Sequence, residues 1–188
     1  MNRIFEAALE IQATCVSRGW KFCVIGGVAV QRWGEPRFTR DVDITVLSGF
    51  GGEVAYVDAL LEAYETRIDD AREFALRNRV LLVRSAAGVA IDVSLGAMPF
   101  EERAVGRGSP FVVGEARSIL TCSAEDLVVL KAFAGRDQDW LDIEGVIARQ
   151  GPALGTALIL RELEPLLELK EDMRALPRLQ AMLKHLGT

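Results

Sequence analysis

The chain has 188 residues, of which 50% are hydrophobic and 26% charged, with a net charge of −5. That length suits one domain, or one domain with a helical extension, and the acidic balance argues against a broad electrostatic grip on nucleic acid. A single histidine, His185, argues against Ser-His-Asp chemistry or a histidine-rich metal site, and no apolar run approaches the ~20 residues of a membrane helix.

The first six residues move quickly into mixed polarity, unlike a signal peptide. Cys15, Cys23 and Cys122 lack metal-ligand spacing and sit among apolar residues, so buried free thiols and a cytoplasmic location are expected. Residues 3–18 carry Ile4, Ala7, Ala8, Ile11 and Cys15 at helical spacing, and Gly19 suits the end of that helix. Residues 21–25 read as a strand, Gly26-Gly27 as a turn, residues 28–33 as a short helix closed by Gly34, and Glu35-Pro36 as a loop. Residues 41–47 alternate with period two and read as a strand. A glycine-rich loop over 48–52 leads into a helix over 54–64. Residues 79–84, a turn at 86–88 and residues 89–95 form a β-hairpin, with one more short strand at 111–113. Ser123 stands where it would cap a helix, and from there the chain reads as helical, broken at Gly151-Pro152, Pro165 and Pro177. The expected fold is α+β: a small mixed β-sheet core flanked by helices over 1–122, then a C-terminal helical subdomain over 123–188.

Three carboxylates stand out. Alternation along a strand puts Asp41 and Asp43 on one face, ~6.6 Å apart between Cα atoms. Asp92 projects from a second strand, opposite the apolar face of Val89, Ile91, Val93 and Leu95. Aspartate is unusual in strands. If the two strands are neighbours, the three carboxylates share one site, where their repulsion calls for a hard cation such as Mg²⁺. Two such ions, ~3.5–4 Å apart, suit phosphoryl transfer. Gly26-Gly27, between a strand and a helix, can form a nest of backbone N–H groups for phosphate.

The stretch from Ile25 to Ile44, with Gly26-Gly27, Arg37, Thr39 and Asp41-Val42-Asp43, resembles the opening motif of the nucleotidyltransferase superfamily with the polymerase-β-like fold. More narrowly, it resembles the branch that includes the AbiEii-type toxins of toxin–antitoxin pairs. The resemblance implies a nucleotidyltransferase core in which Asp41 and Asp43 bind Mg²⁺ and Asp92 is the third carboxylate, acting on the acceptor hydroxyl. Gly26 and Gly27 would hold the triphosphate of an NTP. Where the superfamily commonly has serine after the first glycine, this chain has Gly27, and Arg37, Thr39 and Arg40 are the nearest groups to replace the lost contact. In related enzymes a lysine on the helix after the sheet faces the nucleotide phosphates, and Lys131 fits that role. Asp139 and Asp142, three residues apart, share a helix face and are expected to pair with Lys131 or Arg136.

The function implied is transfer of NMP from an NTP to an acceptor hydroxyl on RNA or protein, with pyrophosphate released and an antitoxin as partner. A small-molecule acceptor, aminoglycoside-like, is the alternative acceptor class. A nucleotide-binding module without catalysis is the rival class, supported by the missing serine and opposed by the three carboxylates.

Overall fold

The computed structural model describes residues 2–114 and 116–184. His185 lies outside the described residues. The chain divides into two compact units, Met1–Val28 with Phe38–Cys122, and Ala29–Arg37 with Ser123–Thr188.

The first unit is built on helix α1 (Arg3–Ser17), strand β1 (Phe22–Ile25), the start of α2 (Gly26–Trp33), β2 (Asp41–Leu47), α3 (Glu53–Leu61), β3 (Glu65–Thr66), α4 (Ala71–Asn78), β4 (Val80–Arg84), β5 (Ala90–Gly96), α5 (Pro99–Gly106), β6 (Ser109–Gly114) and β7 (Arg117–Thr121). The strands form a mixed sheet in the order β3-β4-β5-β2-β1-β7-β6. Strand β2 runs antiparallel to β1 and parallel to β5. Val42, Ile44, Val46, Leu81, Val83, Ile91 and Val93 turn one face of the sheet into the core, against Ile4, Ala8 and Ile11 of α1, Val57 and Leu60 of α3 and Ala75 of α4. This is the period-two pattern of the sequence realised as burial. The α+β fold read from the sequence is the one observed.

The second unit contains the rest of α2 and helices α6 (Ala124–Ala134), α7 (Asp137–Gln150), α8 (Thr156–Lys170) and α9 (Ala175–Lys184), with a single 3₁₀ turn at Gly151–Ala153. The Ser123 hydroxyl accepts from the N–H of Asp126 at 3.1 Å and caps α6, which Gly135 closes with φ +68°. Helix α6 packs against α7, α8 and α9, and Val128, Ile143, Ile159 and Leu163 are fully buried.

Three local readings are corrected. Gly26-Gly27 is the first turn of α2, not a separate turn, so helix follows strand without a loop. Pro165 does not break α8; it sits on the exposed side, where water can serve the carbonyl it strands. Pro177 lies in the first turn of α9, where its missing N–H costs nothing, and the break falls before it. Strands β3 and β7 and helices α4 and α5 were not visible in the local pattern. Among the described residues no helix is long and apolar enough to cross a membrane.

Candidate active site

Strand register decides the site. In the parallel β2–β5 pair Asp43 lies opposite Asp92, and Asp41 opposite Ala90. Neighbouring strands are about 4.8 Å apart. Asp41, Asp43 and Asp92 therefore share the face of the sheet that is not turned to the core, all three partly buried. Farther along that face Gly96 lies against Thr45 and against Glu101 of α5, which packs on β2 and β1.

The glycine pair closes on the carboxylates. Gly26 has φ +59°, and a Cβ there would stand 1.9 Å from Oδ2 of Asp43. Only glycine allows both that backbone conformation and that approach. At Gly27 a Cβ would stand 2.3 Å from Oγ1 of Thr39. Thr39 is itself buried, and its hydroxyl donates to Oδ1 of Asp41 at 3.1 Å. A hydroxyl on Thr39 thus fills the space that a side chain at Gly27 would need. Arg40, next along the chain, has its guanidinium 6.0 Å from the ring centre of the exposed Phe38.

Asp92 meets a residue that local sequence reading passed over. Arg67, just after β3, donates from a terminal guanidinium nitrogen to Oδ1 of Asp92. Burial raises the Asp92 carboxyl above its ordinary value; Arg67 opposes that shift and the Asp41 charge adds to it. No short-range pattern pointed to Arg67, because pairing of β3, β4 and β5 is what delivers it.

The remaining two predicted residues, Arg37 and Lys131, belong to the second unit. Arg37 engages Asp142 with both prongs, Nε to Oδ1 at 2.6 Å and a terminal nitrogen to Oδ2 at 2.8 Å. The Lys131 ammonium, on a residue only 7% exposed, donates to Asp139 at 2.8 Å and lies 2.7 Å from Oδ2 of Asp142. Arg136 completes the cluster by donating to Asp139 from Nε at 2.7 Å. Lys131 therefore does not snorkel outward; its charge is held inside by two aspartates, as the spacing of Asp139 and Asp142 predicted. Burial alone would raise the Asp142 carboxyl, but hydrogen bonds from Arg37 and Lys131 outweigh it and bring the value down to about 2.

Gly26, Gly27, Thr39, Arg40, Asp41, Asp43 and Asp92 all lie in the first unit. The donor set suits a hard divalent cation, since all its charged ligands are carboxylate oxygens on one face. Among the described residues, however, no three or more His, Cys, Asp or Glu side chains close around a common point. In this arrangement Thr39 holds an oxygen of Asp41, and Arg67 holds one of Asp92.

The family model described as nucleotidyl transferase AbiEii toxin, type IV TA system, matches residues 12–174. The chain belongs to the AbiEii family. It is accordingly a nucleotidyltransferase, and the solved structures it resembles carry the same fold. One is an antigenic nucleotidyltransferase-like protein from Paracoccidioides brasiliensis, with TM-score 0.54 and 14% identity over 96% of this chain and 91% of that one. Another is the antibiotic-resistance factor ANT(2'')-Ia, with TM-score 0.53 and 17% identity over 98% of both chains. A third is the lincosamide antibiotic adenylyltransferase LnuA in its lincomycin-bound form, with TM-score 0.51 and 14% identity over 75% of this chain and 94% of that one. Comparison with curated proteins gives no match to this AbiEii-family chain.

Proposed function

We propose that this AbiEii-family enzyme transfers NMP from an NTP to a hydroxyl of RNA or protein, with Mg²⁺ as cofactor, as the toxin of a toxin–antitoxin pair. The observation that carries this reading is the β2–β5 register, which sets Asp92 beside Asp43 with Asp41 two residues away. Asp41, Asp43 and Asp92 would hold the metal. When bound, Mg²⁺ would neutralise charge on the triphosphate oxygens.

The chain's own residues supply the rest. The N–H groups at the start of α2, bared by Gly26 and Gly27, bind phosphate oxygens through the helix dipole and direct hydrogen bonds. The Thr39 hydroxyl, which donates to Asp41, fills the space a serine side chain at position 27 would take, so the phosphate contact falls to the backbone N–H groups of α2. Asp92 takes the proton of the acceptor hydroxyl, and the raised affinity of its carboxyl for protons suits a base. The acceptor oxygen forms a bond to the α-phosphorus. The bond from that phosphorus to the α–β bridging oxygen breaks, and pyrophosphate carries away the electron pair. Arg37 and Lys131, which the family resemblance would also direct to the triphosphate, are engaged here with Asp142 and Asp139. Lys131 has three donor positions and points two at aspartates.

The family's toxin description supports a macromolecular acceptor and an antitoxin partner. A cytoplasmic location follows from the need for NTP and fits three buried free cysteines. Incubating the protein with each α-labelled NTP, Mg²⁺ and cell extract tests the whole reading. Label is expected in RNA or protein, and it should be lost in Asp41→Asn. Label confined to small molecules would replace the acceptor class, and no transfer from any NTP would leave a nucleotide-binding module.

A further inference from the structure

The third carboxylate already has a cation. Arg67 follows the two-residue edge strand β3, and its backbone N–H donates to the carbonyl of Leu82 at 3.1 Å. Leu82 is the residue opposite Asp92 in the antiparallel β4–β5 pair. The backbone thus anchors Arg67 two strands from Asp92, across β4, and its side chain reaches over to the carboxylate, where it donates to Oδ1. Both side chains are partly buried, 20% and 32% exposed, so water screens the pair only partly.

The grip is incomplete. A guanidinium that serves as a structural partner frequently engages a carboxylate with two parallel N–H groups, as Arg37 does with Asp142. Arg67 bonds Asp92 through one terminal nitrogen, while its Nε is buried with no hydrogen-bond partner. Buried donors are nearly always satisfied, so an orphaned one marks a place for a water or a ligand, or a side chain with a second position. Asp92 meanwhile stands in register with Asp43, and the Asp41 charge bears on it as well. Like charges so placed need a counter-charge whether or not metal is present.

We propose that Arg67 is a tethered counter-cation for Asp92: it holds the third carboxylate while no metal is bound, and a divalent cation displaces it. This rests on the metal-site reading of the three aspartates. Arg67 is then a positioning residue. It keeps the carboxylates together without metal, lowers metal affinity by competing for the same oxygen, and on release turns its N–H groups free for an oxyanion.

Mn²⁺ binding, read by the paramagnetic resonance of free Mn²⁺ in the absence of nucleotide, tests this apart from activity. Wild type is expected to bind Mn²⁺, and Asp41→Asn with Asp43→Asn to lose it. Arg67→Gln, which removes the charge and keeps a polar side chain, is expected to bind about tenfold more tightly, the size of one partly screened charge contact. Arg67→Lys, which keeps the charge, should stay within about threefold of wild type. Unchanged or weaker binding in Arg67→Gln, with wild type still binding, overturns the counter-cation role alone. Absence of Mn²⁺ binding by wild type overturns the metal site and this role together. Should Arg67→Gln fail to fold, the Nε–H resonance of Arg67 in wild type, identified by its loss in Arg67→Lys, gives the same answer. It should move on addition of Mg²⁺, and a resonance that stays fixed at saturating Mg²⁺ overturns the displacement.

Discussion

The hydroxyl of Thr39 stands 2.3 Å from where a Cβ on Gly27 would be, so the two positions share one volume. A side chain at 27 and the threonine at 39 exclude each other. Gly27→Ser is therefore expected to overpack the site and cost about 1–3 kcal/mol of stability, with loss of transfer activity. The double variant Gly27→Ser with Thr39→Gly, which clears the space, should recover most of that stability. Thermal melts and transfer rates of the single and double variants check this; additive losses would show that the positions are independent.

Asp41 and Asp43 carry like charges on the sheet face with Asp92. Converting either to asparagine relieves repulsion while removing a proposed metal ligand. The expected outcome is loss of transfer by about a thousandfold or more with Tm unchanged or slightly raised. Paired activity and melting measurements distinguish this from a folding defect, in which Tm would fall with activity.

The cluster of Arg37, Lys131, Arg136, Asp139 and Asp142 is buried around Lys131 and the two aspartates. Lys131→Met would leave two carboxylates short of their partner, at an expected cost of about 3–5 kcal/mol. Urea unfolding at neutral pH reads that loss.

The same cluster sets an acid limit. The Asp142 carboxyl lies at about 2 when folded, and that of Asp139 is lowered as well by hydrogen bonds from Arg136 and Lys131 against the opposing effect of burial. Their folded values lie below the unfolded ones, so they stabilise the protein above about pH 4 and the benefit is lost as pH falls toward 2. The urea midpoint should drop through that window, and the drop should be shallower in Asp142→Asn.

Cys15 is fully buried, and burial pushes its thiol up to about 12. Cys23 and Cys122 are buried too. Native protein should therefore react slowly with a thiol reagent at pH 8, and all three cysteines should react once unfolded. Rapid labelling of the native protein would contradict the packing described for α1 and β1.

Local signals in the sequence carried far where they were strictly periodic. Strand β2 begins at Asp41 and ends at Leu47, as its alternation indicates, and Ser123 caps α6 as its position before Ala124-Glu125-Asp126 suggests. Helix α4 and strand β7 left no such trace. The stripe of α4 is short, with only Ala71 and Ala75 buried, and β7 is specified by its neighbours β1 and β6 more than by its own pattern.

By itself the sequence determined that Asp41 and Asp43 share a face, that Asp92 sits opposite an apolar strand face, and that two glycines precede them. Those are consequences of backbone periodicity, which acts within a few residues. Only the tertiary structure decided that Asp92 stands beside Asp43, that Thr39 takes the place of a side chain at Gly27, and that Arg67 rests on Asp92. Each depends on strand register or on contact between residues far apart in the chain, and a one-residue slip of β5 would have turned Asp92 into the core.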